Sequence, residues 1–365
     1  MLAVPIGVLL DRRVLRAAVA GRATYENLAF YRQFARPGVC FFTFDGIDLR
    51  RGRVLAYVFD RDRRLTARGL PLPRIVHYRA VAIGKRDRRL AAALVRRPDL
   101  IVFNNPRCGG KLRNALWLAA DPATRAHVPE TLRYDGPRAL GTLLAKYPAV
   151  ILKPVWGSLG LGLIRVRRTP DGYAWETGNS VRPHFCRTLA ALAGELGEHV
   201  ARRPYLVQRA LDLALYRGRP FDVRVSVQRG GDGEWRVAGM VAKVAGRNRI
   251  ATNVARGGRA VNLLVVLSEV FGPAAAGRCA EALASLGLRA AAVLSRHERG
   301  MADYGFDLCL TKDGHPWFLE ANHRDLRYSF RDSGDRDLWA NTYRNPMEYA
   351  AHLLAVGWST VADGA

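Results

Sequence analysis

Residues suited to phosphate chemistry occur first in the segment 151–162. Lys153 lies at the end of a strand-like run and is followed by Gly157, Gly160 and Gly162. Glycines let backbone N–H groups approach phosphate oxygens, and a lysine ammonium neutralises phosphate charge. The segment is neither a P-loop nor a dinucleotide-binding fingerprint. An ordinary glycine-rich turn is therefore the alternative to phosphate binding.

Two carboxylates and an amide lie in two strand-like runs far downstream. Asp307 lies within residues 306–310, and Glu320 and Asn322 end the run 317–322. Alternate residues of a strand face the same side, so the three side chains converge if the runs form a hairpin. Hard oxygen ligands of this kind suit Mg²⁺ that is bound together with phosphates. Capping of the strand end is the alternative.

In a third segment, an aspartate and an arginine share one face of a predicted strand, and a lysine lies on the strand-like run that follows. Asp222 and Arg224 share a face, and Lys243 follows on the predicted partner strand. A cation there can hold an anionic substrate or stabilise the charge of a transferred phosphoryl group. A surface ion pair is the alternative. A loop with further candidate substrate contacts follows, at Asn253, Gly257 and Gly258.

The elements that must position these residues can be predicted from hydrophobic periodicity. Residues 1–105 alternate between strand and helix patterns, which is typical of an open α/β lobe. Strands are expected at 5–10, 39–44, 54–59, 74–82, 149–152, 163–166 and 205–208, and helices at 25–35, 111–120, 139–147, 188–200 and 274–296. Two antiparallel hairpins are expected, 221–227 with 235–245 and 306–310 with 317–321.

The composition is that of a globular chain with a strong positive charge. The 365 residues are 49% hydrophobic, which excludes a largely disordered chain, a collagen-like repeat and a coiled-coil rod. No apolar run reaches the roughly 20 residues of a membrane-spanning helix, and the apolar start is predicted to be a strand and not a signal peptide. The five cysteines are scattered, which indicates reduced thiols in a cytoplasmic protein.

The net charge of +25 does not by itself define a partner. Lysine occupies only six of the 57 basic positions, and the arginines spread along the whole chain, as drift in a GC-rich genome would produce. No nucleic-acid-binding motif is present, which disfavours nucleic acid and leaves a polyanionic substrate or acidic surface as the alternative. A retained lysine can mark a position that requires a compact ammonium.

In chain order, these segments resemble the ATP-grasp superfamily. The matching features are Lys111 at a helix start, the strand lysine with its glycine loop, the Asp-Val-Arg strand, the Asn-x-x-x-Gly-Gly loop and the final Asp…Glu-x-Asn set. Residues 150–325 match the branch of glutamate-type ligases that modify protein ends. Through further motifs at 5–9, 70–79, 103–105 and 128–131, nearly the whole chain is similar to the YheC/YheD family of endospore-coat-associated proteins.

The resemblance implies an α/β (α+β) protein with the ATP-grasp fold. We expect an N-terminal open α/β lobe at 1–105, an ATP-grasp domain at 106–345 and a C-terminal helix or tail at 346–365. Within the ATP-grasp domain, a small glycine-loop lid subdomain is expected at about 131–207 and an antiparallel-sheet lobe at about 208–345.

The resemblance also implies a role for each candidate residue. The expected ATP contacts are Lys111, Lys153, Gly157, Ser158, Gly160, Gly162, Gln208 and Leu211. The expected ligands of one or two Mg²⁺ ions, with Mn²⁺ as an alternative, are Asp307, Glu320 and Asn322. The expected catalytic residues are Arg224 and Lys243, and the expected substrate contacts are Asp222, Asn253, Gly257 and Gly258.

The implied activity is ATP- and Mg²⁺-dependent ligation of a carboxylate to an amine through an acyl phosphate. A basic surface suits an acidic peptide or polymer as substrate, and the family name suggests the spore coat or cell envelope beside the cytoplasm as the location. Two alternatives are a non-catalytic nucleotide-binding coat protein and an ATP-grasp kinase that stops at phosphoryl transfer.

Overall fold

Three β-sheets follow one another along the chain and form the framework of the protein. The computed structural model describes residues 5–35, 38–105, 110–157, 161–178, 180, 182–246 and 257–357. Each sheet contributes its strands to a buried apolar core of its own, and the first sheet has such a core on each of its two faces.

The first sheet is mainly parallel at its centre and antiparallel at one edge. Its strands are β1 (Ile6–Leu9), β2 (Val39–Phe42), β3 (Ile47–Asp48), β4 (Arg53–Phe59), β5 (Leu65–Pro71), β6 (Ile75–Tyr78) and β7 (Ile101–Phe103). Its helices are α1 (Arg12–Val19), α2 (Leu28–Phe34) and α3 (Gly84–Arg96). The order is β3-β4-β2-β1-β6-β7, and β5 pairs with β4. The central strands are buried on both faces, which explains their continuous apolar runs.

The expected elements of this lobe are present, and all but β4, which begins one residue earlier, are shorter than the hydrophobic pattern suggested. The helix expected at 25–35 begins at Leu28 because the Asn27 side chain accepts the backbone N–H of Ala29 and caps it. The strand expected at 74–82 ends at Tyr78. Helices α1 and α3 and strand β5 were not predicted.

The second sheet is antiparallel and covered by two helices. Helix α4 (Gly110–Ala120) precedes it. Its strands are β8 (Thr131–Arg133), β9 (Ala149–Pro154), β10 (Ile164–Thr169), β11 (Gly172–Thr177), β12 (His184–Cys186) and β13 (Tyr205–Arg209), in the order β12-β11-β10-β9-β13-β8. Helices α5 (Pro137–Lys146) and α6 (Leu189–Val200) pack on it through buried leucines.

The third sheet contains both predicted hairpins. Its strands are β14 (Leu215–Tyr216), β15 (Arg219–Arg229), β16 (Trp235–Val244), β17 (Arg259–Val261), β18 (Asp303–Leu310) and β19 (Pro316–Asn322). The antiparallel order is β17-β16-β15-β18-β19, with β14 on β15. The remaining helices are α7 (Leu263–Phe271), α8 (Pro273–His297), α9 (Tyr328–Asp332) and α10 (Arg336–Val356).

Helix α10 returns the chain to the first sheet. It begins ten residues before the helix or tail expected at 346–365, and Tyr343, Met347 and Leu353 share a core with Ile6 and Val8 of β1. The two ends of the chain therefore build one core. None of the helices in the described ranges combines the length and hydrophobicity that a membrane crossing requires. Four of the cysteines are buried free thiols, and Cys108 lies outside the described residues.

A buried ionic network joins the first lobe to the third sheet. Arg79 donates to Glu26 (3.0 Å from Nε) and to Asp303 (3.2 Å from Nη1), and Arg327 donates to Asp303 at 2.7 Å. All four side chains are nearly inaccessible to solvent. Two cations and two anions compensate each other, and breaking one partner would leave a buried charge uncompensated, typically a cost of about 3–5 kcal/mol.

His77 lies beside this network and is expected to make stability depend on pH. It stacks on Phe103 with a centroid distance of 4.6 Å, and burial lowers its pKa from 6.5 to about 4, although nearby Asp303 opposes that change. The unfolded chain therefore binds an extra proton between these values. The contribution of His77 to stability is complete above pH 6.5 and is lost as the pH falls to about 4, a loss of roughly 3 kcal/mol.

We predict that His77→Gln flattens the pH dependence of the free energy of unfolding between pH 6.5 and 4, as measured by urea denaturation. His184→Gln, which changes an exposed histidine of the second sheet, is the control and should keep the wild-type slope. Identical slopes in the wild type and in His77→Gln would contradict this role.

Candidate active site

A cavity of about 520 Å³ is lined by residues of the second and third sheets together. The predicted site residues that line it are Lys111, Lys153, Gln208, Leu211, Asp222, Lys243, Asp307 and Glu320. They come from segments up to about two hundred positions apart in the sequence. The fold therefore assembles most of the predicted charged residues around one space.

The register of the third sheet places the charged residues in line. Asp222 of β15 lies opposite Lys243 of β16, and Arg224 lies opposite Asp307 of β18. Asp307 in turn lies opposite Glu320 of β19. Directly opposed residues of antiparallel strands project to the same face. Three strand pairings therefore bring three acids and two bases to one side of the sheet.

Asp307 is the centre of this charged row. Its carboxylate accepts hydrogen bonds from Arg224 Nε and Nη2 at 2.8 and 3.2 Å, from Lys243 Nζ at 2.8 Å and from Asn322 Nδ2 at 3.3 Å. Burial alone would raise the pKa of the Asp307 carboxyl, but Arg224 and Lys243 outweigh burial and hold it well below its usual value. Asp307 is therefore a buried, fully ionised oxygen donor.

The donor set at this corner fits a hard divalent cation. Asp307 and Glu320 are cross-strand neighbours, and Asn322 lies two residues beyond Glu320 on the same face. Glu320 forms an ion pair of 3.0 Å with Lys111. In the described part of the chain no group of three or more His, Cys, Asp or Glu side chains could hold a metal ion. An ion at this corner therefore needs further oxygen ligands, of the kind that phosphates supply.

Lys153 points to the same corner from the second sheet. Its ammonium is buried and donates to the backbone oxygen of Leu319, the residue before Glu320, at 3.2 Å. Burial, and then the neighbouring charge of Lys111, lowers the pKa of Lys153 from 10.5 to about 8. A polyanion that entered the cavity would oppose both effects, because it would add negative charge beside the ammonium to that of Glu320.

The two glycines that border the predicted loop have backbones that favour glycine. Gly157 has φ 128° and Gly162 has φ 77°. A Cβ at Gly162 would approach the side chains of Arg203 and Tyr205 to 2.3 and 2.7 Å, so a larger residue would force both to move. The predicted loop residues Ser158 and Gly160 lie outside the described residues.

The cavity lining also includes a buried amide and several aliphatic side chains. Gln208 is buried and donates to Thr131 Oγ1 at 2.7 Å, which fixes its amide at the cavity wall. Leu211 lines the wall beside it, together with Ile151, Leu163 and Leu213. An apolar wall with a fixed amide is suited to a planar heterocycle such as adenine.

Of the remaining predicted residues that the structure describes, Asp222 lines the cavity, whereas Arg224, Asn322, Gly257 and Gly258 are not part of the lining. Arg224 and Asn322 each donate a hydrogen bond to Asp307, which lines the cavity. Gly257 and Gly258 precede β17 and do not line the cavity, and Asn253 lies outside the described residues. Asp222, predicted to contact substrate, lines the cavity but pairs with Lys243 at 2.9 Å. In this arrangement its immediate effect is to hold the lysine.

Four polar residues at this site were not predicted. Arg165, Asp212 and Lys312 line the cavity. Arg165 lies opposite Ile151 on the neighbouring strand, so a prediction that the strands expected at 149–152 and 163–166 pair would have indicated it. Asp325 accepts from Arg224 at 3.0 Å and is fully buried. Nothing in the sequence around Asp325 marks it.

The architecture of these sheets around the cavity is that of the ATP-grasp proteins. The ATP-grasp ligase PsnB, complexed with a phosphomimetic variant of minimal precursor, Mg and ADP, is 18% identical with a TM-score of 0.53 and covers 97% of this chain and 99% of its own. D-cycloserine synthetase DcsG is 15% identical with a TM-score of 0.55 over 94% and 99%. D-alanyl-alanine synthetase A from Vibrio cholerae O1 biovar eltor str. N16961 is 12% identical with a TM-score of 0.53 over 100% of both chains.

The family model described as YheC/D like ATP-grasp matches residues 100–353, and the chain belongs to this family. Endospore coat-associated protein YheD of Bacillus subtilis (strain 168) is 28% identical over 240 residues, which cover 65% of this chain and 52% of YheD. Endospore coat-associated protein YheC of the same strain is 22% identical over 217 residues, 56% of each chain. The chain spans about half the length of these relatives. The predicted family and fold are confirmed.

We predict that Lys153 titrates near pH 8 in the protein without nucleotide, and that Lys111→Met raises its pKa because a neighbouring positive charge is removed. NMR of ¹³Cε-labelled lysine can follow this, since the chain has only six lysines. Lys146→Met, on the exposed face of α5, is the matched control and should leave Lys153 unchanged. A wild-type pKa of Lys153 near 10.5 would show that the ammonium is not buried among cations.

Proposed function

We propose that this protein is an ATP- and Mg²⁺-dependent ligase that joins a carboxylate to an amine through an acyl phosphate. The observation that supports this most strongly is the convergence of Lys111, Lys153, Lys243, Asp307 and Glu320 on one cavity. The family assignment and the fold shared with ligases of peptides and amino acids support the same proposal.

The protein's part in such a reaction is to position ATP and balance its charge. Lys153 and Lys111 would contact phosphate oxygens, and Gln208 and Leu211 would border the adenine. Asp307, Glu320 and Asn322 would hold Mg²⁺, which when bound neutralises phosphate oxygens and polarises the γ-phosphorus. Since Lys111 pairs with Glu320 in the protein alone, it would exchange this carboxylate for phosphate.

The chemistry divides into two displacements. A carboxylate oxygen of the substrate attacks the γ-phosphorus, the bond to the β-γ bridging oxygen breaks and ADP leaves. The amine nitrogen then attacks the acyl carbon, the C–O bond breaks, inorganic phosphate leaves with the electron pair, and the amine proton passes to phosphate or solvent. Positioning and charge stabilisation account for most of the acceleration in such transfers.

Arg224 and Lys243 have distinct parts in this proposal. Lys243, between Asp222 and Asp307, lines the cavity and would face the transferred phosphoryl group. Arg224 is held by Asp307 and Asp325 on both sides, so its guanidinium would act on the phosphoryl group only after a change in these contacts. In the observed arrangement Arg224 orients the Asp307 carboxylate.

The test is ADP release in the presence of MgATP and pools of carboxylates and amines, followed by mass spectrometry of the product. We predict that Lys153→Ala and Glu320→Ala each lower kcat/KM by about 100-fold or more, since each removes a charge that contacts phosphate or metal. Lys146→Ala and Glu234→Ala remove charges outside the cavity and should remain within about twofold of the wild type. Unchanged turnover in both site variants would contradict the site assignment.

Product analysis and a binding measurement separate this proposal from the two alternatives. A phosphorylated product without an amide bond would identify a kinase. Absence of MgATP binding by calorimetry would favour a structural protein of the spore coat, the location given in the names of YheD and YheC. For this chain we propose that MgATP binds and that Lys153→Ala weakens this binding.

A further inference from the structure

A second cavity, of about 1190 Å³, lies against the edge of the first sheet. Its wall is formed by edge strand β7, the end of α3 and the end of α8, and it shares no lining residue with the active-site cavity. Five arginines line it, and we call it the arginine cleft: Arg74, Arg96, Arg97, Arg296 and Arg299.

Three of the five guanidinium groups are unpaired within the described part of the chain. Arg97 donates to Asp99 at 2.9 and 2.6 Å, and Arg296 donates to Asp121 at 2.7 Å. Arg74, Arg96 and Arg299 are exposed, and no described acidic side chain lies within ion-pair distance of any of them. Three separate segments of the chain therefore direct uncompensated positive charge to one cleft.

The carboxylates of the cleft do not neutralise these arginines. Asp99 is engaged by Arg97. Glu298 is 4% exposed, accepts from Tyr304 Oη at 2.9 Å and lies 2.9 Å from Nε2 of His323. Both acids have partners of their own, so a ligand would have to supply the negative charge that the three arginines lack.

The lining of the cleft also includes aliphatic side chains and part of the edge strand β7. Leu72, Val95, Leu100 and Ile101 supply aliphatic surface. The backbone N–H of Ile101 bonds to Arg74 O at 2.8 Å on the β6 side. Because successive residues of a strand alternate between its two neighbours, the N–H and C=O of Val102 are directed away from β6, beside the Asn104 N–H, which bonds to Gly300 O at 2.7 Å. An extended chain could therefore add main-chain hydrogen bonds there.

We propose that the arginine cleft binds an extended peptide rich in carboxylates. Guanidinium groups match carboxylates in charge and planar geometry, the aliphatic lining residues suit peptide methylenes, and the Val102 backbone offers hydrogen-bond partners. Single-stranded nucleic acid is the weaker candidate, since its binding depends on stacking platforms, and no phenylalanine, tyrosine or tryptophan lines this cleft. The proposal does not depend on the ligase activity.

The test uses the full chain and a fluorescein-labelled peptide of alternating glutamate and alanine, followed by fluorescence anisotropy at about 0.1 M salt. At this ionic strength, long-range attraction between exposed charges is largely screened. The triple variant Arg74→Gln, Arg96→Gln, Arg299→Gln should bind the peptide about tenfold more weakly. The triple variant Arg61→Gln, Arg68→Gln, Arg138→Gln removes the same charge from exposed positions outside the cleft and should bind within about twofold of the wild type.

Three outcomes of this experiment would overturn the proposal. Equal weakening in both triple variants would show attraction to net charge alone, and absence of binding to the wild type would show that the cleft takes no such peptide. Stronger competition by oligothymidylate of matched charge than by unlabelled peptide would assign the cleft to nucleic acid. Calorimetry with MgATP on the cleft variant, expected to match the wild type, distinguishes failure here from failure of the ligase proposal.

Discussion

Compensation of buried charge is the constraint on which the third sheet and its site depend. Asp222, Arg224, Lys243 and Asp307 are all buried, and each has an oppositely charged partner among the others. An isolated charge at this depth would be strongly destabilising. The strand register that pairs them is therefore also the register that holds an ionised Asp307 beside the cavity. A slip of one residue would turn these side chains to the opposite face.

The same constraint connects the site to the first lobe. Asp325 accepts from Arg224 through its side chain, and its backbone oxygen accepts from Arg79 at 2.7 Å. Arg79 in turn is held by Glu26 and Asp303. A chain of buried charges thus leads from Asp307 to the first sheet. The position of Arg224 is fixed from both sides, which limits its freedom more than a surface arginine would be limited.

The sequence was most informative where local pattern and chemistry agree. The hairpin of β18 and β19 could be predicted because alternating apolar residues flank a glycine turn, and its register then placed Glu320 opposite Asp307. Helix α3 was missed because its first half is charged, and β5 because it is largely exposed. The network of Arg79 and Arg327 could not be predicted from the sequence. Nothing local distinguishes these arginines from the many exposed ones, because their acidic partners come from distant parts of the chain.

Lysine is concentrated at the candidate site, in contrast to the arginine-rich composition of the chain as a whole. Of the six lysines, four line the active-site cavity, although arginine is by far the commoner base in this chain. Lys243 shows why: its ammonium lies 2.9 Å from Asp222 and 2.8 Å from Asp307, so it bridges carboxylates of two different strands. A guanidinium can also bridge two carboxylates, as Arg224 does between Asp307 and Asp325, but it is a larger and planar head group than the compact ammonium of lysine. Because Lys243 is 2% exposed, an arginine at position 243 would have to fit this larger head group into a closely packed space, whereas exposed basic positions are free to drift.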